Sequence, residues 1–240
     1  MRGMSLIGIL LLLLTIPPLW AQGSCDCKAL LLQKIEQSLA EANNIEDYTC
    51  IFTKRELIGT KEVYGRIFLK FKRRPRWIYM KWLDDGHKGQ ELIWSPHWNK
   101  GRIYVHGGGW KKLIKLHLEP DGALALREAR HPIYCTGFEN LLKKVAEQLQ
   151  ILRDVGMEPE VVCNDNCFLV SLNKDACPRL YGYRVEICFS QNPNLPCKVK
   201  VWDKVGGILQ VVEEYQYSQI RINVGLTPDD FDPQNPLYDF

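Results

Sequence analysis

Residues 62–72 read "EVYGRIFLKFK". Val63, Gly65, Ile67, Leu69 and Phe71 alternate with Glu62, Tyr64, Arg66, Phe68, Lys70 and Lys72. A period of two is the mark of a strand, whose successive side chains point to opposite faces; a helix repeats every ~3.6 residues. One face of this strand is oily throughout, so something must cover it.

The same period recurs on both sides. "DYTCIFTKRE" (47–56) sets Tyr48, Cys50 and Phe52 on one face. "RWIYMKW" (76–82) sets Ile78, Met80 and Trp82 against Trp77, Tyr79 and Lys81. "QELIW" (90–94), "RIYVHG" (102–107) and "LIKLHL" (113–118) predict three shorter strands. Gly59, Asp84-Asp85-Gly86, Asn99-Lys100-Gly101, Gly107 to Gly109 and Asp121-Gly122 supply the turns between them. Strands this short and close together pair antiparallel, because parallel pairs need a long crossover. Further strands are predicted at "CFLVSL" (167–172), "YGYRVEICF" (181–189), "CKVKVWD" (197–203) and "GILQVVEEYQYSQIRI" (207–222). In the second of these, Tyr181, Tyr183, Val185, Ile187 and Phe189 share a face.

Two segments change period. Leu31, Ile35, Leu39 and Ala42 predict an amphipathic helix over 27–42. Phe138, Leu141, Leu142, Val145, Leu149 and Leu152 predict a second over 138–153, with Thr136 and Glu139 as a capping box. The fold class is therefore α+β: a strongly curved antiparallel sheet, a half-open barrel, covered by two or more helices. Such a barrel leaves room for an apolar cavity between sheet and helices. Phe52, Ile67, Leu69, Phe71, Ile78, Met80 and Trp82 are the candidate lining residues, and Phe68, Trp77, Tyr79 and Trp94 add to the aromatic load. A solid core would use the same residues, so both arrangements stay open.

The chain opens "MRGMSLIGILLLLLTIPPLWAQGSCDCK". Arg2, the apolar run Leu6 to Leu14 and Ala21 fit an export signal over 1–21. Residues 22–240 then form one domain, and the product belongs in the periplasm or cell envelope. A lipid anchor at Cys25 is the weaker alternative, because Gln22 stands where a lipobox wants a Leu-like residue. Export permits disulfides among the nine cysteines, with Cys163, Cys167, Cys177, Cys188 and Cys197 as the candidate group.

Chemical motifs are few. A formal charge of +3 is too small for a nucleic-acid partner. The basic run Lys70, Lys72, Arg73, Arg74, Arg76 reads as a solvated strand face. No nucleophile elbow, P-loop, dinucleotide loop or metalloprotease motif occurs, so neither catalytic residues nor a cofactor nor a resident metal is expected. His97, His106 and His117 are the only candidate metal trio, in separate hairpin segments without acidic flanks. The tail, "EEYQYSQIRINVGLTPDDFDPQNPLYDF", gathers Asp229, Asp230 and Asp232, yet lacks the glycine of a calcium loop. Its prolines stiffen it, which predicts a docked closing segment over about 218–240 that seals one end of the sheet.

"DYTCIFTKRE", "FKRRPRWIYMKW" with "KGQELIW", "RHPIYCTGFENLL" and the closing tail come in the order of an exported bacterial family. Over about residues 45–240 the chain resembles the domain-of-unknown-function family numbered fifteen-seventy-one. That family is itself similar to the LolA and LolB type of lipoprotein-carrier fold. The resemblance implies a binding protein, not an enzyme: a carrier or sensor of lipid, acyl chain or lipoprotein, with peripheral or transient membrane contact. Two other classes stay open, an envelope hydrolase around His106 or His131 and a structural protein with a filled core. Oligomeric state has no sequence marker.

Overall fold

The computed structural model describes residues 26–240. The expected export signal and Cys25 lie outside the described residues. Six strands come first: β1 Asp47–Ile58, β2 Lys61–Lys72, β3 Trp77–Trp82, β4 Glu91–Trp94, β5 Ile103–His106 and β6 Lys115–Leu118. Five follow: β7 Glu160–Asn164, β8 Cys167–Ser171, β9 Arg184–Phe189, β10 Pro196–Val205 and β11 Ile208–Ile222. Helix α1 spans Cys27–Asn43, and α2 spans Phe138–Asp154 between the two groups of strands.

All eleven strands join one sheet in the order β6-β5-β4-β3-β2-β1-β11-β10-β9-β8-β7. Each half is a meander of neighbours in sequence, and every pairing is antiparallel. The halves meet where β1 pairs with β11. The sheet does not close: β6 and β7 are its two edges.

Its curvature follows from coverage. Eleven strands at ~4.8 Å spacing span roughly 50 Å. Two helices, each ~10 Å across, cover less than half of that. The sheet buries one face by curling around them. Ala42, Phe138 and Leu142 pack with Tyr48, Cys50, Phe52, Ile67, Leu69, Phe71, Ile78 and Met80 over the β1–β5 half. Leu31 and Ile35 pack with Phe168, Val170, Ile187, Phe189, Val199, Val201 and Val212 over the other. Leu39 and Leu141 touch both clusters, so the two form one interior.

Several expectations need correction. β7 was not foreseen; the C-x3-C of "CNDNCF" is the β7–β8 hairpin, in which Asn164 faces Cys167 across a two-residue turn. β9 begins at Arg184 and not at Tyr181, whose N–H donates instead to Gln148 Oε1 on α2 at 2.7 Å. The Thr136–Glu139 capping box does not form. Gly137 is the N-cap at φ 115°, and a Cβ there would come within 2.9 Å of the Phe71 ring. Thr136 O accepts from Arg76 and Asn140, while Glu139 pairs with Arg73 and Lys143.

Among the described residues two disulfides are present. Cys167–Cys188 lies within the candidate group and staples β8 to β9. Cys163 pairs outside that group, with Cys27, and ties the start of α1 to the edge strand β7. Among the described residues Cys177 is a buried free thiol, and Cys197 is also unpaired.

The tail lies on the sheet's outer face, opposite the helices, rather than across one end. Tyr79 and Ile93 point outward, away from Ile78 and Leu92, and pack with Leu226 and Phe231. Tyr238 stacks on Tyr79 at 4.2 Å, and Phe240 on Tyr104 at 5.0 Å. The basic run is not simply solvated. Lys70 Nζ donates to Asp230 Oδ1 at 2.7 Å and Lys72 Nζ to Leu226 O at 2.6 Å. Asp230 also accepts from the Thr227 N–H, so this tail acid is committed to turn and clamp.

Candidate functional site

The concave face is built in rows. Strand register places Phe52, Ile67 and Trp82 side by side across β1, β2 and β3. The next row is Cys50, Leu69 and Met80, and the third is Tyr48, Phe71 and Ile78. All seven candidate lining residues therefore share one floor. Phe68, Trp77 and Tyr79 belong to the other face, beneath the tail.

The open cavity expected above this floor is closed. Leu69 and Ile78 are 0% exposed and Ile67 is 1%, so no space the size of a water molecule adjoins them. Phe138 of α2 fills the centre, 4.7 Å from the Tyr48 ring and 4.9 Å from that of Tyr217. Ala125 and Ile133, from the connection between β6 and α2, close the rest. Trp82 is only partly buried, at the margin. The Tyr48 hydroxyl is buried with no hydrogen-bond partner. Two hollows lie elsewhere. One of about 450 Å3 is lined by Tyr64, Arg66, Leu83 and the Asp84–His87 turn. The other, of about 100 Å3, lies between Arg55, Glu56, Glu62 and Val212.

Beyond the apolar rows the same face turns polar. Lys54 and Glu56 continue the inward side of β1, opposite Tyr215 and Glu213 of β11. Glu56 and Glu213 are therefore direct cross-strand neighbours, 3% and 2% exposed. Two carboxylates this buried need partners. Lys54 Nζ reaches Glu56 Oε2 at 2.8 Å, and Tyr215 O–H donates to Glu56 Oε1 at 2.6 Å. Arg130 Nε donates to Glu213 Oε1 at 2.8 Å; Tyr181 O–H donates to the same atom, and His131 Nε2 lies 3.2 Å from Oε2. Burial pushes the Glu213 carboxyl up, but bonds from His131, Tyr181 and Arg130 outweigh it and hold it below the ordinary carboxylate value. Burial likewise raises the hydroxyls of Tyr181 and Tyr215, which stay protonated as donors.

These contacts form a latch. Residues 119–137 have no long regular element, only two short 3-10 turns at Leu126–Glu128 and Ile133–Cys135. Few backbone bonds anchor such a segment, so side chains do. Lys54 Nζ donates to Glu128 O at 2.6 Å, and Arg130 Nη1 to Leu57 O at 2.7 Å. Arg76 Nη2 donates to Tyr134 O at 3.0 Å and to Thr136 O at 2.6 Å. His87 Nε2 lies 3.1 Å from Glu128 Oε2.

The remaining histidines are dispersed. His106 is buried beside Glu91, its Nδ1 2.9 Å from Gly107 O. His117 stacks on Tyr104 and meets Asn99. Among the described residues no three His, Cys, Asp or Glu side chains converge as metal ligands. His131 Nε2 is engaged by both Glu213 and Tyr181, and no hydroxyl or thiol of a Ser, Thr or Cys is bonded to it among the described residues.

The fold is similar to a LolA superfamily protein from Nitrosomonas europaea, with 11% identity over 84% of this chain and 96% of that one, at a TM-score of 0.36. It is similar to lipoprotein LppX from Mycobacterium tuberculosis, with 12% identity over 85% and 99% and a TM-score of 0.45. In the MucA/MucB complex from Pseudomonas aeruginosa the figures are 15%, 83%, 60% and 0.45. No curated protein matches the chain. One family does, over residues 45–240, nearly the whole described sheet and its tail: the chain belongs to the family "Protein of unknown function (DUF1571)".

Proposed function

We propose that the protein is an exported cell-envelope carrier or sensor of an acyl chain, free or on a lipid or lipoprotein, and that the described conformation is its closed state. One observation carries the reading. An irregular segment, pinned by polar contacts at its margins, covers a floor of aliphatic and aromatic side chains. The floor of Phe52, Ile67, Leu69, Phe71, Ile78, Met80 and Trp82 suits an acyl chain in polarity, and Lys54 and His131 stand where an anionic head would rest. Release of the latch moves Ala125 and Ile133 aside and uncovers the part of those rows that Phe138 and the helices do not cover. The two disulfides support an oxidising compartment. The binding role involves no catalytic step.

Burial near zero at Leu69 and Ile78 favours a second reading, a permanently filled core in a structural protein. Titration with a fluorescent fatty acid separates the two. The carrier reading expects slow uptake by the wild type, faster uptake by Arg130→Ala, and none by a folded Ile78→Asp. An unpaired carboxylate on that floor costs several kcal/mol, so circular dichroism must accompany the last variant. No uptake by either the wild type or Arg130→Ala, with no lipid in a solvent extract, overturns the proposal.

A further inference from the structure

Among the described residues the longest exposed run of large apolar side chains lies at the β5–β6 end of the sheet. Trp110 is 75% exposed, Leu113 82%, Ile114 54% and Leu116 41%. Lysines interleave them: the stretch reads "GWKKLIKL" from Gly109 to Leu116. Every residue from Gly109 to His117 is exposed. Soluble surfaces rarely gather apolar groups so densely without a partner.

We infer that this loop is a docking tip for anionic phospholipid membranes, with Trp110, Leu113 and Ile114 entering the interface and Lys111, Lys112 and Lys115 meeting the headgroups. Trp favours the boundary between hydrocarbon and water, and lysines beside it attract an anionic leaflet. Among the described residues Lys111 and Lys115 form no salt bridge, and Lys112 has only a 3.5 Å contact with Asp239. The tip is held firmly at its base. A Cβ on Gly108 would collide with the Lys88 carbonyl, so the loop packs tightly on the neighbouring turn. β6 is an edge strand whose Leu116 faces Val105, so the tip continues the rim of the concave face. A symmetric contact with a second copy is disfavoured, since it would set the same lysines against one another. The inference holds whether or not the floor ever takes a guest.

Vesicle flotation tests it, using protein carrying Cys25→Ser so that no acyl anchor contributes. Wild type is expected to float with vesicles of phosphatidylglycerol and phosphatidylcholine in equal parts, and to stay behind with phosphatidylcholine alone. Each Lys→Gln change at 111, 112 or 115 weakens binding about fivefold. The Trp110→Ala, Leu113→Ala pair weakens it at least ~tenfold while the melting temperature holds, because both side chains are exposed. Brominated lipid quenches wild-type fluorescence, and Trp110→Phe removes that quenching. Failure of the wild type to float, equal flotation of the double variant, equal binding to neutral vesicles, or a dimer that Trp110→Ala dissolves would each overturn it.

Discussion

Glu91 shows what one buried carboxylate can anchor. Its side chain is 0% exposed. Lys81 Nζ sits 2.6 Å from Oε1 as an ion pair, although that oxygen accepts no well-aligned hydrogen bond. Oε2 accepts the Asp239 N–H at 2.9 Å and faces His106 Nε2 at 3.4 Å. Burial pushes this carboxyl up, but His106, Lys81 and the Asp239 amide prevail and hold it at about 2, against an ordinary 4.5. A depressed acid stabilises the fold fully above its ordinary value, and that contribution is lost as pH falls toward the folded one. Proteolysis of the tail should therefore accelerate between pH 4.5 and about 2. Glu91→Gln should lower stability by ~1–3 kcal/mol at neutral pH and flatten that acid dependence. A tail equally resistant in both proteins down to pH 2 would refute this role.

At the same scale, the floor was legible and the latch was not. Alternation alone puts Ile67, Leu69 and Phe71 on one face. Lys54 and Glu56 continue the inward phase of Cys50 and Phe52, and charge at inward positions was the available signal of a buried network. The neighbouring carboxylate Glu213 and its partners Arg130, His131 and Tyr181 come from three distant segments. Only the β1–β11 register, which depends on the whole fold, sets Glu56 beside Glu213.

Among elements, the tail and the first helix are each tied down by a contact that local pattern does not reveal. Phe231 is 1% exposed and stacks on Trp77 at 5.7 Å. Phe231→Ala should cost ~3–5 kcal/mol in chemical denaturation. A loss below 1 kcal/mol would mean the tail only rests on the sheet. Charge complementarity between the basic run and the acidic tail was visible in sequence, but two-fold alternation masked the clamp as a solvated face. Cys27–Cys163 joins positions 136 residues apart. Cys27→Ser with Cys163→Ser should lower stability by ~2–4 kcal/mol, chiefly by freeing the unfolded chain. Unchanged stability of the double variant would show that helix packing alone holds α1. Helix periods located α1 and α2 closely, whereas the short strand β7 offered too few residues to betray a period.

Beneath the two helices the sheet carries two packed clusters but one interior. Leu39 on α1 and Leu141 on α2 contact both. Denaturant unfolding should accordingly be a single transition, with tryptophan fluorescence and far-ultraviolet dichroism coincident. Two resolved steps would mean that the halves of the sheet fold apart. Sheet curvature was legible from the ratio of strands to helices; the closure of its concave side was not, because the same residues line a hollow or fill one.

The seam between β1 and β11 sets a timetable. A ribosome makes β1 before the other ten strands and β11 after them, yet the two are adjacent at the sheet's middle. Until β11 emerges, β1 and β10 each present a bare row of peptide groups at what will become the centre. A nascent chain stopped short of Ile208 thus carries two half-sheets with unzipped inner rims, a species primed to pair with its neighbours before it can pair with itself.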